Sequence, residues 1–155
     1  MRFRIFILLI SIISLLSSCK SEKLGKGFLP GTDWDMEEYF IYFTSLDSLN
    51  QTEDLSTIKG VIANEISGGW SFSEDDKATI TIDYHFDALP YGSRGIYSVS
   101  GDFKQEKRQS SFEVIEGSET HEYHIHQRES RKEIWVKWES SSSGSPWVHM
   151  VHLKR

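Results

Sequence analysis

After residue 30, apolar and polar side chains alternate with period two along most of the chain. The clearest case is 78–86, where Ala78, Ile80, Ile82, Tyr84 and Phe86 fall on one face and Thr79, Thr81, Asp83 and His85 on the other. Successive side chains of a strand point to opposite faces, so this pattern predicts a half-buried β-strand. Trp70 and Phe72 share a face just before it, across a charged turn at 73–77. Further strands are predicted at 95–99, 111–115, 121–127, 134–138 and 147–153, with turns rich in glycine, serine and charge between them. A first strand at 33–43 ends in five consecutive apolar residues from Tyr39, which implies burial on both faces at its far end. Short strands joined by short turns make an antiparallel meander, and such a sheet protects its edges by closing. The fold class expected is mainly all-β, a small antiparallel up-and-down barrel.

Two segments interrupt the pattern. Over 48–66, Leu55, Ile58, Ile62 and Ile66 recur at helical spacing with Thr52 as a cap, yet Ile58, Gly60, Ile62, Asn64 and Ile66 also alternate as a strand would. Gly60 costs a helix interior about 1 kcal/mol, so a short helix near 52–66 is only narrowly preferred to strand. The serine-rich stretch 140–146 reads as a flexible hairpin loop.

The amino-terminal end is organised differently. Arg2 and Arg4 precede an apolar run over 3–16, and small residues follow before Cys19. This is the layout of a secretory signal, 1–18, with an apolar part shorter than the ~20 residues that cross a bilayer as a helix. Leu16, Ser17, Ser18 and Cys19 resemble a bacterial lipobox, at which the signal is cut and the cysteine acylated; Cys19 is also the chain's single cysteine. The resemblance implies a membrane partner reached through a lipid anchor on Cys19, and no disulfide in the mature domain. Lys20 does not resemble an inner-membrane retention signal, so the outer membrane of a bacterial envelope is the expected location. Residues 19–30 then serve as the lipidated terminus and a flexible tether, and 31–155 as one barrel domain. Cleavage removes two arginines and no acid, leaving 15 basic against 23 acidic side chains, a net charge of −8. That balance excludes nucleic acid as an expected partner.

Three short features resemble the lipocalin-like, or calycin-type, barrel lipoproteins of Bacteroidota. Gly31, Thr32, Asp33 and Trp34 open the first strand much as Gly-x-Trp opens lipocalins, although with one residue more between glycine and tryptophan. Gly95, Ile96 and Tyr97 fit a Gly-x-Tyr strand, and an apolar last strand ends at Arg155. The resemblance implies that Trp34 lies under Arg155 at a closed barrel end. It speaks to fold more than to function, because barrels of this class host many activities.

Candidate chemistry is sparse. His124 and His126 project from the same side of one predicted strand, and imidazole suits zinc or copper, but a site would need a third ligand such as His85 or His152. His121 belongs to the opposite face, with Tyr123 and Ile125. A solvated polar face is the stronger reading of the pair. Glu38 shares a predicted face with Trp34, Met36 and Phe40 and is the acid singled out for burial. The chain lacks Gly-x-Ser-x-Gly, a thiol beyond Cys19 and a glycine-rich phosphate loop, so neither enzyme activity nor a cofactor is expected. The aromatic residues Trp34, Trp70, Tyr84, Tyr97 and Tyr123 are candidates to line a ligand cavity, with a filled core as the alternative. Trp135 and Trp138 have opposite parity, so one faces outward; Trp135, beside Lys137 and Glu139, is the candidate partner-binding residue. The expected function is a non-catalytic envelope lipoprotein that binds a small apolar or amphipathic ligand or scaffolds an envelope complex. A filled-barrel inhibitor or immunity-like protein that binds another envelope protein is the alternative, and surface zinc or copper binding a minor one.

Overall fold

The computed structural model describes residues 28–88, 93–105, 110–142 and 144–155. The signal segment, Cys19, most of the tether and the predicted loop at 89–92 lie outside the described residues. Nine strands follow in order: β1 (Thr32–Tyr42), β2 (Gly60–Ile62), β3 (Glu65–Phe72), β4 (Lys77–Phe86), β5 (Ser93–Lys104), β6 (Ser111–Glu116), β7 (Glu119–Ser130), β8 (Glu133–Ser142) and β9 (Ser145–Lys154). β3 to β9 pair each with the next, and β1 joins β3 to β9, so eight strands close an antiparallel barrel. β2 pairs with the far end of β1 and continues the line of β3 after a short break. The all-β, up-and-down barrel expected from the alternation is the observed fold.

Strand alternation sends one face of each strand inward. Ala78, Ile80, Ile82 and Phe86 of β4 are buried, as are Trp70 and Phe72 of β3 opposite them. Gly68 in β3 has φ +109, and a Cβ there would lie 2.2 Å from the Thr81 carbonyl oxygen, so two backbones approach where no other residue fits. At the closed end Trp34 donates from Nε1 to Thr32 Oγ1 at 2.7 Å, and Thr32 Oγ1 donates to the Leu29 carbonyl. The Arg155 guanidinium lies 5.3 Å from the Trp34 ring, the contact the lipocalin resemblance implies. Arg128 covers Phe28 at 4.2 Å. Leu29 is buried in the core and Phe28 packs against it, so residues 28–30, expected to belong to the tether, pack with the barrel.

Bulges change the parity of two strands. In β1 the register shifts between Met36 and Glu38, so Trp34 and Met36 face inward, then Tyr39 and Ile41. Glu38 and Phe40 therefore leave the inner face to which strict alternation assigned them; Glu38 is half-buried opposite His152. β7 shifts twice, skipping His126 and Glu129. A bulge opposes two residues to one and re-aims the side chain it inserts.

Residues 43–59 leave the barrel between β1 and β2 and fold back onto its outside. The segment holds α1 (Leu46–Asn50) and a 3₁₀ turn at Leu55–Thr57. Ser45 caps α1, accepting from the Ser48 N–H at 3.2 Å, while the helix that Thr52 was expected to cap does not form. The region 52–66, where helix and strand competed, divides at Gly60: one 3₁₀ turn before it and strand after it. A five-residue helix does not stand alone in water. Leu49 holds it by packing on Val148 and Met150 of β9, flanked by Phe40, Tyr42, Leu55, Ile58 and Trp135. Both faces of β1 and β9 are consequently buried at this end, as the apolar run from Tyr39 predicts. The serine-rich stretch is mostly strand instead of flexible loop, because Ser140, Ser141 and Ser142 pair with Trp147, Pro146 and Ser145.

Candidate functional site

Three of the aromatic residues proposed to line a cavity are packed in the barrel core. Trp34, Trp70 and Tyr123 are each 1% exposed or less. Trp70 packs edge-on against Tyr123 at 5.3 Å and Phe112 at 6.2 Å, and Tyr123 packs on Trp138 at 5.7 Å. Such spacings are those of rings in direct contact. Tyr84 and Tyr97 are half-buried higher in the barrel. Tyr84 lies over Gly95, where a Cβ would meet its hydroxyl at 2.6 Å, and Tyr97 shares a 2.7 Å hydrogen bond with Tyr123. Three of the five candidates are therefore core, and only the upper two reach clefts.

One polar chain runs through this upper interior. Tyr39 Oη and His149 Nδ1 share a hydrogen bond at 2.6 Å, and Ser140 Oγ and His149 Nε2 another at 2.6 Å. His149 stacks on Trp138 at 4.9 Å. Burial pulls the His149 pKa down to about 4, so the imidazole is neutral at physiological pH, and burial raises the Tyr39 pKa, keeping the phenol protonated. A neutral imidazole offers one donor and one acceptor, and two hydroxyls satisfy both in either tautomer. A serine nucleophile needs an imidazolium stabilised by a third group; here that third group is a phenol and burial opposes the charge. The chain works as a satisfied core network. Sequence parity places His149 on the apolar face of β9, the signal that could have identified it.

Outside the core, the wall has a seam. The β7–β8 ladder ends at His124 opposite Lys137, and above this point β7 pairs only with β6, while β8 pairs with β9. A cleft of about 450 Å³ opens there, lined by inward residues Tyr97, His121 and Trp138 and by Glu122, Glu139 and Asp47. The start of α1 is pinned beside it, the Leu46 N–H donating to Glu139 Oε2 at 2.6 Å.

A second cleft of about 330 Å³ continues below it and shares His124. It is lined by Lys137, His124, His126, Asn50, Thr52 and Ser110 with apolar Leu49 and Ile125, and among the described residues by no carboxylate. Lys137 is only 6% exposed. Its Nζ donates to Asn50 Oδ1 and lies 3.1 Å from His126 Nδ1, so its partners among the described residues are neutral groups. Burial lowers the Lys137 pKa; burial and then the Lys137 charge lower that of His126. Alternation in β8 places Lys137 outward, where a lysine is ordinarily solvated. Only the excursion folding over it, through Asn50 and Leu49, creates this site, and no local sequence signal carries that information.

His124 and His126 do line one cleft, but neither proposed third ligand joins them. His85 sits on β4, 3.3 Å from Asp87 Oδ1, and β5 and β6 separate that strand from β7. His152 on β9 stacks on Trp135 at 4.4 Å with the rings 3° from parallel. Lys137 Nζ lies 3.1 Å from His126 Nδ1, so that ring nitrogen faces an ammonium. Trp135 does face outward while Trp138 faces in, but it is half-buried against Phe40 and donates from Nε1 to Glu129 Oε1 at 2.9 Å. It is part of a packed outer layer, not a free anchor. Among the described residues no helix is long and apolar enough to cross a membrane. No family model and no curated protein matches the chain.

Proposed function

We propose that this chain is a lipoprotein of a bacterial envelope, anchored through an acylated Cys19 in the outer membrane, that binds a small anionic or amphipathic molecule without catalysis. The ligand sits in the lateral cleft beside Lys137, and the barrel with its packed aromatic core is the frame that holds it. The observation that carries this reading is a buried ammonium whose partners among the described residues are neutral, beside a cleft whose described lining holds no carboxylate. A charge taken out of water costs several kcal/mol unless it is paired. An anion brought within 4 Å of it interacts by about 4 kcal/mol at the effective dielectric of partly buried sites. Leu49 and Ile125 offer a short apolar surface beside the charge, which favours an amphipathic acid. The Trp34–Arg155 contact supports the lipocalin-type relationship, in which the frame is a barrel and the bound molecule varies.

Native mass spectrometry of the full-length mature protein, released from envelopes in mild detergent, tests this. A bound small acid that is absent from Lys137→Met supports the reading; a bare protein in both samples refutes it. The burial of Trp34, Trp70 and Tyr123 in the core also supports a second reading, a protein-binding inhibitor or immunity-like module. Ile96, 71% exposed on β5, and Ile62 are its contact candidates. Under that reading Ile96→Asp abolishes capture of one envelope protein and Lys137→Met leaves it intact.

A further inference from the structure

We infer that Glu129, Glu133 and His152 form a binding site for a divalent first-row transition ion on the outside of the barrel, separate from the lateral cleft. One carboxylate or imidazole atom from each lies within 4.8 Å of the others. The three come from adjacent strands β7, β8 and β9, and the second bulge of β7 is what brings Glu129 to the group. Imidazole with two carboxylates is a donor set suited to zinc and its neighbours.

Two details distinguish this group from a casual ion pair. His152 Nε2 is fully buried and has no hydrogen-bond partner, although Glu133 Oε1 is 3.1 Å away. The two atoms are close but out of line for a hydrogen bond. Donors bound to one zinc at about 2.0–2.2 Å lie roughly 3.3–3.6 Å apart, so this pair already has nearly that spacing. Glu129 is exposed and able to swing the remaining distance. The second detail is Trp135, whose indole stacks on His152 and donates from Nε1 to Glu129 Oε1. One side chain thereby fixes the plane of one ligand and orients another, the work that groups behind metal ligands perform. Lys154, exposed and opposite Glu133 in register, is the neighbouring cation that opposes the ion.

Zn²⁺ alone, titrated into chelator-treated full-length protein near neutral pH, is the probe, followed by calorimetry and by the change in tryptophan fluorescence that Trp135→Phe removes. One Zn²⁺ per chain is expected. Glu133→Gln and His152→Gln should each weaken uptake at least tenfold while melting as the wild type does without zinc. Trp135→Phe keeps a stacked ring but loses the N–H, and should weaken uptake by about 10- to 100-fold. His124→Ala with His126→Ala should leave it unchanged. Absence of stoichiometric uptake overturns the site, as does uptake that survives both Glu133→Gln and His152→Gln or disappears with the His124 and His126 pair. Should either ligand variant fail to fold, a zinc-dependent rise in wild-type melting temperature that Trp135→Phe reduces supports the site, and no rise refutes it.

Discussion

His149 should make the barrel sensitive to acid by a calculable amount. Its folded pKa is about 4 against an ordinary 6.5, because burial disfavours the imidazolium. Between these values the unfolded chain binds a proton that the folded chain does not, so stability rises with pH across this window and falls as pH drops through it. A difference of 2.5 units corresponds to about 3 kcal/mol, fully lost below pH 4 and fully retained above 6.5. The described groups that share bonds with the ring are Tyr39 and Ser140, and Trp138 stacks on it; none is a carboxylate whose own titration would mask the effect. His149→Gln keeps polar contacts but does not titrate. Urea unfolding of both proteins at several pH values isolates His149, since the titrating groups common to both proteins cancel in the difference. Wild type should lose about 3 kcal/mol more than His149→Gln between neutral pH and pH 4. Parallel profiles would show that the imidazole takes up its proton freely in the folded protein and that the network is solvated.

Other substitutions test the frame and its cover. Leu49→Ala should cost about 2–4 kcal/mol in urea unfolding, and it should speed amide exchange in 46–58, because Leu49 is the buried side chain of α1 on Val148 and Met150. Gly68→Ala places a Cβ against the Thr81 carbonyl at a positive φ and should lower the thermal midpoint by several degrees, or prevent folding, whereas alanine at exposed Gly117, also at a positive φ (+63) but with nothing near its Cβ, should cost only the backbone strain of about 1–2 kcal/mol. Arg155→Ala removes the cation over Trp34 and should cost about 0.5–1 kcal/mol, read as a matching change in the denaturation midpoint.

What the sequence made legible was the part governed by local periodicity. Alternation alone located β4, put Trp138 inward and Trp135 outward, and assigned Tyr123 and Ile125 to the core. It failed where a single inserted residue reversed the parity, as at Glu37, so Glu38 and Phe40 moved to the outer face. It failed again over the serine-rich stretch, because strand pairing with β9 outweighed weak local preference. The candidate site was the least legible part. Lys137, Asn50 and His126 are far apart in the chain, and the burial of Lys137 follows from an excursion that packs on the outside of the barrel. His152 appeared in the sequence only as a distant third ligand for His124 and His126. Its actual neighbours, Glu129 and Glu133, are set by a bulge and by strand register, neither of which leaves a periodic trace.

The central claim is that Lys137 marks a binding cleft for an anion. Its most direct test is a titration of octanoate and of inorganic phosphate into the full-length protein, followed through the imidazole NMR signals of His124 and His126, which line the cleft. The account predicts saturable shifts with at least one of the two anions, lost in Lys137→Met and retained in Arg155→Ala. Signals that do not move, or that move identically in Lys137→Met, would contradict it.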